Sequence, residues 1–374
     1  MVTDQRVHKV CLTLQKTGYE VLLVGRHQRK SLALDNRSYT THRMKLLFEK
    51  GPAFYAAFNV RLFFYLLFRD CDLLVSNDLD TLLPNYLISK WKHIPLIYDT
   101  HEIFTEVPEL EHSPIKKRIW TWIETRIVPG LRYVFTVNQS IALWYKDKYG
   151  TEPTVVRNIP QKLILTSEKL TAKSEKTALK PAKTRAELGL PEGKQLIILQ
   201  GAGINIQRGG EELVEAMKYV ENTLLLVIGS GDVINVLKVK AMEPDLKGKV
   251  MFVGKLPYSE MMEYTRLADI GLTLDKADSL NYRFSLPNKL FDYIQAGTAI
   301  LASRLTEVER IIRHYDIGEF IDNHNPKHIA DKINQMLASG EQLLKWKENT
   351  KLAARELTWE NEEMELMKVY KLFL

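Results

Sequence analysis

The segment Ser285–Thr298, SLPNKLFDYIQAGT, joins a helix start to an acid about one turn inside the helix. Pro287 suits the first turn, where the leading amides have no intrahelical partner and attract an anion such as a diphosphate. Asp292 is placed to accept hydrogen bonds from the hydroxyls of a ribose. Gly297 ends the helix before an apolar strand. An amphipathic helix with a proline start explains the spacing but not the polar choices. A second segment, Gly201-Ala202-Gly203-Ile204-Asn205-Ile206-Gln207-Arg208-Gly209-Gly210, follows an apolar run and opens a helix. Its glycines let backbone approach a ligand, and Arg208 adds a forked cation suited to phosphate. It lacks the Gly-Lys-Ser/Thr of a P-loop and the spacing of the dinucleotide fingerprint, and a tight strand-to-helix turn is the alternative reading. The turns Gly229-Ser230-Gly231-Asp232 and Gly254-Lys255-Leu256-Pro257 are weaker signals of the same kind. In the first half, Asp99-Thr100-His101-Glu102 follows a strand-like run, so His101 stands at a strand's carboxyl end. Asn77-Asp78-Leu79-Asp80 does the same, and capping and loop fixing are the roles expected of its two acids.

These residues need a scaffold that gathers strand ends, and the hydrophobic pattern supplies one. Tyr19–Val24, Cys71–Ser76, Ile94–Tyr98 and Tyr133–Val137 read as short buried strands, with helical patterns such as Arg6–Lys16 and Ile115–Val128 between them. Gln195–Gln200, Thr223–Ile228, Val250–Val253, Ile270–Leu274 and Ala299–Ala302 repeat the scheme. Their helices are Glu211–Tyr219, Val233–Met242, Ser259–Leu267, Asn288–Ala296 and Leu305–His314. The alternation predicts an α/β fold with parallel sheets covered by helices on both faces. Ligands of such sheets bind beyond the carboxyl ends of the strands. The expected division is a first domain over residues 1–160, a Lys/Ser/Thr/Ala-rich linker over 161–190, a second domain over 191–355 and a C-terminal helix over 356–374. One feature is unusual. The chain enters its first helix at Arg6 without the strand that should open the first domain, so either that strand lies upstream or the domain lacks it.

Composition narrows the classes. Hydrophobic residues make up 45% and charged residues 26%, which excludes a wholly disordered chain. No apolar run reaches the length of a spanning helix, and the first residues lack the apolar stretch of a signal peptide. Cys11 and Cys71 are the two cysteines, too few for a disulfide scaffold or a CxxC knuckle, and the expected location is the cytoplasm. Residues 1–160 hold 22 Lys/Arg against 16 Asp/Glu, whereas residues 191–374 hold 23 against 27. The basic first half suits an anionic substrate or an anionic lipid surface; nucleic acid is not expected, because no zinc-finger spacing or aromatic RNA-binding signature is present.

Taken together, SLPNKLFDYIQAG, the Arg208-Gly209 loop, Gly229-Ser230-Gly231, Val253-Gly254 and Val155-Val156-Arg157-Asn158-Ile159-Pro160 resemble the family 4 glycosyltransferases. The resemblance covers nearly the whole chain. Asp4-Gln5-Arg6-Val7 and Asp99-Thr100-His101-Glu102 resemble bacterial members that build surface polysaccharides. The resemblance implies the GT-B fold: two facing Rossmann-like domains with a cleft between them. It also implies a C-terminal domain that holds a nucleoside diphosphate sugar of UDP or GDP type. Gly201 and Gly203 match the family's glycine-rich loop, and Arg208 stands where a basic residue contacts the diphosphate. Lys255 and Leu256 occupy the loop beside the nucleobase. Leu286, Pro287 and Asn288 match the stretch near phosphate and sugar, and Asp292 replaces the glutamate that holds the ribose. His101 matches a histidine close to the donor sugar. Phe284 stands where the family often has a second glutamate.

The implied reaction is retaining transfer of a sugar to an acceptor hydroxyl, a hexosyltransferase step in polysaccharide synthesis, with Arg208 and His101 as catalytic residues. Neither a metal nor a cofactor is expected. The acceptor would be a saccharide or a lipid-linked saccharide. Two other readings remain open: a nucleotide-sugar epimerase, using Asp99, His101 and Glu102, or a catalytically silent sugar-nucleotide-binding partner. The aromatic run Phe54–Phe68 reads as a core helix or as an interfacial one helped by Arg43, Lys45, Lys50 and Arg69, which would put the chain at the inner face of the membrane.

Overall fold

The computed structural model describes residues 4–29, 31, 33–107, 110, 113–162 and 183–374. It divides into two units, one made of Met1–Asn158 with Glu362–Leu374, the other of Ile159–Asn361. Of the expected linker, residues 163–182 lie outside the described residues.

The first unit opens with α1 (Gln5–Lys16), capped by the Asp4 carboxylate on the Val7 amide at 3.0 Å. Then come β1 (Leu22–His27), β2 (Thr40–Lys45), α2 (Gly51–Leu67), β3 (Leu74–Asn77), α3 (Leu82–Lys92) and β4 (Leu96–Thr100). The series continues with α4 (Pro114–Ile127), β5 (Tyr133–Thr136), α5 (Gln139–Tyr149) and β6 (Thr154–Val155). All strand pairs are parallel, in two sheets: β1-β2 and β3-β4-β5-β6. No strand precedes α1 among the described residues. The first strand lies further on than the expected Tyr19–Val24. Leu22 and Arg26 are exposed, Leu23, Val24 and His27 half-buried and Gly25 buried, so hydrophobicity marks its bounds poorly.

The second unit contains β7 (Gln195–Gly201), α6 (Gly210–Ala216), β8 (Thr223–Gly229), α7 (Ile234–Lys240), β9 (Val250–Gly254), α8 (Tyr258–Leu267) and β10 (Ile270–Thr273). It continues with α9 (Leu280–Arg283), α10 (Asn288–Ala296), β11 (Ala299–Ser303), α11 (Thr306–Tyr315), β12 (Gly318–Ile321), α12 (Pro326–Ala338) and α13 (Gly340–Glu356). The last helix, α14 (Trp359–Tyr370), runs across the boundary into the first unit. The six strands pair in parallel in the order β12-β11-β10-β7-β8-β9. Alternate residues of β7 feed different layers. Ile197 and Leu199 join the core under α6 and α12, whereas Leu196 and Ile198 join the core under α10 and α11. Burial on both faces is why this strand reads as an unbroken apolar run. Helices α12 and α13, absent from the sequence reading, close the second layer. Gln295 donates to the carbonyls of Ala354 and Leu357 at 3.1 and 2.9 Å, which ties the end of α13 to α10.

Candidate functional site

In the second unit the structure links Arg208 to the start of α10 through Asp275 and Lys289, and links Asp292 to the end of β7 and the start of α8 through Gln200 and Tyr258. Gly209 begins α6 with φ +72°, and a Cβ there would fall 2.4 Å from the Leu274 carbonyl oxygen, so packing demands glycine. Gly203 is different: a Cβ would meet nothing nearer than 3.8 Å, which leaves room for a ligand. Arg208 places Nη1 2.9 Å from Oδ2 of Asp275, and its guanidinium carbon stands 4.9 Å over the Tyr282 ring. Lys289 reaches the other oxygen of Asp275 at 3.2 Å. Two cations therefore share one fully buried carboxylate, leaving one positive charge in excess. Among the described residues, the buried Nε of Arg208 and the hydroxyls of Thr273 and Ser285 have no hydrogen-bond partner. Such groups are costly to bury unsatisfied, and one of them belongs to a cation of this pair.

Helix α10 starts behind Pro287, whose φ of −63° and ψ of 134° are extended, and no side chain caps its first amides. These amides and the surplus cation form a corner whose free donors and charge suit an anion. Gly297 closes the helix with φ +74°, as its sequence position predicts. Asp292 is 8% exposed and accepts hydrogen bonds from Tyr258 Oη at 2.9 Å and Gln200 Nε2 at 3.1 Å. Gln200 is fixed in turn by Thr265 Oγ1 at 2.7 Å. Lys255 is exposed and Leu256 half-buried on the core. Their loop reaches the rest through Tyr258, two residues past Leu256. Leu286 packs on the core, and Asn288 is exposed at the helix start. Sequence reading missed Lys289, Asp275, Gln200 and Tyr258. Asp275 had a signal, since it is the first acid beyond a strand end, and Lys289 lies inside the segment already singled out.

The first unit builds a different site around His101, just beyond β4. Arg6 grips Asp99 with Nη2 at 2.7 Å and Nε at 3.1 Å, a two-pronged buried pair, and also donates to the Val156 carbonyl. The His101 ring lies between two carboxylates, Nδ1 3.3 Å from Asp78 and Nε2 3.5 Å from Asp99. The His101 amide donates to Asp78 at 2.9 Å, and the Asp78 amide donates to the Asp99 carbonyl at 2.9 Å. Asp78 takes φ +61° to do so. It fixes the loop as expected, and it also faces the imidazole. Burial pulls the imidazole's pKa down, but Asp78 and Asp99 outweigh burial and push it up to about 9. Burial would raise Asp99, but Arg6 and then His101 hold it well below the ordinary carboxylate range. Asp80, raised by burial and then by Asp78, reaches about 7.

Two family models match the chain. "Glycosyltransferase Family 4" covers residues 4–161 and "Glycosyl transferases group 1" covers residues 182–353. Between them they take in both units, and the chain belongs to this family of glycosyltransferases. An uncharacterized glycosyltransferase of Methanocaldococcus jannaschii is 24% identical over 192 residues, 50% of this chain; the match spans about half that relative's length, 47%. Among solved structures, sucrose-phosphate synthase of Thermosynechococcus elongatus superposes with a TM-score of 0.74 at 15% identity, covering 99% of this chain and 93% of that one. HepE of Anabaena, solved with UDP-glucose, gives 0.71 at 13%, covering 97% and 95%. WaaG, a glycosyltransferase involved in lipopolysaccharide biosynthesis, gives 0.68 at 16%, covering 96% and 95%. At these identities the likeness shows the fold, which is GT-B.

Proposed function

We propose that the protein transfers a glycosyl group, with retention, from a nucleoside diphosphate sugar to an acceptor hydroxyl in the synthesis of a bacterial surface polysaccharide. The observation that carries this reading is the corner where Arg208 and Lys289 share Asp275 beside the uncapped start of α10. The bond from the anomeric carbon to the diphosphate breaks, and its electron pair leaves with the phosphate oxygen. The acceptor oxygen bonds to the same face of the sugar, and its proton passes to the leaving diphosphate. Arg208, Lys289 and the α10 amides stabilise the charge growing on that leaving group. These fixed positive groups do the work a metal ion would otherwise do, so activity is expected to survive a chelator. Asp292 holds the ribose, and the loop of Lys255 and Leu256 lies by the base. His101, kept cationic by its two carboxylates, orients the sugar and stabilises charge. Asp99 is committed to Arg6, which argues against a proton-shuttling epimerase.

The acceptor is a saccharide or a lipid-linked saccharide, met at the inner face of the membrane. HepE has been solved with UDP and with UDP-glucose, which favours a UDP-sugar donor here. The test is a panel of UDP- and GDP-sugars read by thermal shift, since a ligand specific to the native state raises apparent stability. A preferred donor, then consumed only with acceptor present, supports transfer. A new sugar epimer without acceptor supports an isomerase, and binding without turnover supports a silent partner.

A further inference from the structure

Glu124 of α4 is an acid with no solvent exposure. Its carboxylate accepts hydrogen bonds from three hydroxyls: Thr105 at 3.1 Å and Tyr149 at 2.6 Å on Oε2, and Tyr145 at 3.1 Å on Oε1. Lys148 Nζ stands 3.6 Å from Oε2. Burying a carboxylate is costly, and an apolar side chain of similar volume often serves stability as well or better. Stability alone is therefore a weak reason for an acid here, and what the acid holds is a stronger one.

It holds the segment that carries His101. Thr105 lies in the turn Phe104–Glu106 and donates straight to Glu124. Tyr145 Oη stands 3.2 Å from Thr100 Oγ1 at the end of β4, and Thr100 also donates to the Glu102 carbonyl at 2.7 Å. Glu124 thus reaches both ends of the segment from Thr100 to Thr105, one directly and the other through Tyr145. Thr100, Ile103, Thr105 and Tyr145 are all buried. The same side of α4 makes two further contacts with this segment and the residue after it. Lys117 pairs with Glu106 at 2.8 Å, and Trp120 meets Phe104 edge-on with ring centres 5.2 Å apart. Lys117, Trp120 and Glu124 recur at the three- and four-residue spacing of one helix face. The Tyr149 bond, in contrast, runs from Glu124 to α5.

The His101 ring depends on this support. Its approaches to Asp78 and Asp99, 3.3 and 3.5 Å, are long for hydrogen bonds, so the backbone that carries the ring decides where it sits.

We propose that Glu124 is a positioning residue for the transfer reaction: through Thr105 and Tyr145 it fixes the backbone that sets His101 between Asp78 and Asp99. This deepens the role given to His101 above and rests on it. Glu124 acts through one loop and needs no contact with substrate.

The test compares two hydroxyls on one carboxylate. Thr105→Val removes the bond to the segment and keeps the side chain's shape, whereas Tyr149→Phe removes the bond to α5. If Glu124 served stability alone, the two variants would behave alike. The first readout is the titration of the His101 imidazole in the folded full chain, followed by NMR and assigned by its loss in His101→Gln. The charged groups around the ring are Asp78, Asp99, Arg6 and Asp80, and neither variant alters them. The wild type should titrate near 9. Thr105→Val should lower that by at least about half a unit, because the ring drifts from its two carboxylates. Tyr149→Phe should leave it in place, and Thr105→Ser should restore it. The second readout is turnover with the donor preferred in the panel above. Thr105→Val should lower kcat at least about fivefold with the donor's KM unchanged, since misplacing a catalytic group costs rate and not ground-state binding. Tyr149→Phe should stay within about twofold. Equal shifts in both variants, or a shift in neither, overturn the inference. UDP thermal shift on the wild type separates this from the functional reading: a missing response counts against the donor site, while the imidazole titration decides whether Glu124 positions His101.

Discussion

The two candidate sites treat charge in opposite ways. In the second unit, two cations share one carboxylate, and the buried Arg208 Nε lacks a partner among the described residues. In the first unit, Arg6, Asp99, His101 and Asp78 alternate in sign and balance one another's charge, although the buried His101 Nε2, 3.5 Å from Asp99, likewise makes no hydrogen bond among the described residues. The first arrangement has a charge left over for a ligand. The second spends its charge on holding its own parts, and what it presents is a fixed imidazolium. Both sit at strand ends, yet the accounting of partners, not the position in the fold, separates a binding corner from a braced one.

The strongest test of this contrast is Arg6→Met. Removing the guanidinium strands Asp99 in the interior, and breaking one side of a buried ion pair typically costs about 3–5 kcal/mol. Urea unfolding followed on the first unit should show a loss of that size, with nucleotide response retained in whatever fraction stays folded. Adding Asp99→Leu should recover much of the loss. A change under ~1 kcal/mol would mean the pair is not the brace described.

Arg208→Ala should invert the pattern. It leaves Asp275 paired with Lys289, so folding should change little. A charged hydrogen bond is worth about 1.5–3 kcal/mol, hence UDP affinity should fall at least tenfold in titration calorimetry. Lys289→Ala should do the same, and the double variant should lose more than either. Equal affinities for wild type and variants would remove this corner from the donor site.

The imidazolium gives a pH signature. Because its pKa is raised from 6.5 to about 9 in the folded protein, its stabilisation is fully present below pH 6.5 and is lost as pH rises through 9. The stability gap between wild type and His101→Gln should be on the order of 1–2 kcal/mol at pH 6, since a pKa unit corresponds to about 1.4 kcal/mol and the ring keeps some solvent contact. It should close towards pH 10. A gap that does not vary with pH would make His101 a packing residue. Donor affinity should be unaffected by the substitution while turnover falls.

How much of this was legible in the sequence depended on range. Local signals held: Asn288–Ala296 is a helix over those residues, and Gly297 adopts the left-handed conformation that ends it. Buried strands such as β7 announced themselves because both faces are apolar. Strand β2, with the sequence TTHRMK, has no such pattern and among the described residues pairs only with β1, so nothing marked it. The Arg6–Asp99 pair spans 93 residues, and no local rule links its members. Helix α2 was ambiguous because an aromatic residue at nearly every angle hides which side is buried, and the structure assigns both a core side and an exposed one.

The smallest expected effect concerns Asp292. Both of its oxygens already accept hydrogen bonds, from Tyr258 and Gln200, and its side chain is a methylene shorter than the glutamate of the family. A ribose hydroxyl would therefore compete with, or share, acceptors that are partly satisfied. Asp292→Asn should weaken UDP by about 1 kcal/mol, roughly fivefold, and should leave inorganic pyrophosphate unchanged, because pyrophosphate has no ribose. Tyr258→Phe releases one oxygen of Asp292, so it should leave UDP affinity unchanged or raise it. Equal losses for UDP and pyrophosphate in Asp292→Asn would show that the carboxylate shapes the anion corner through α10 instead of touching the sugar.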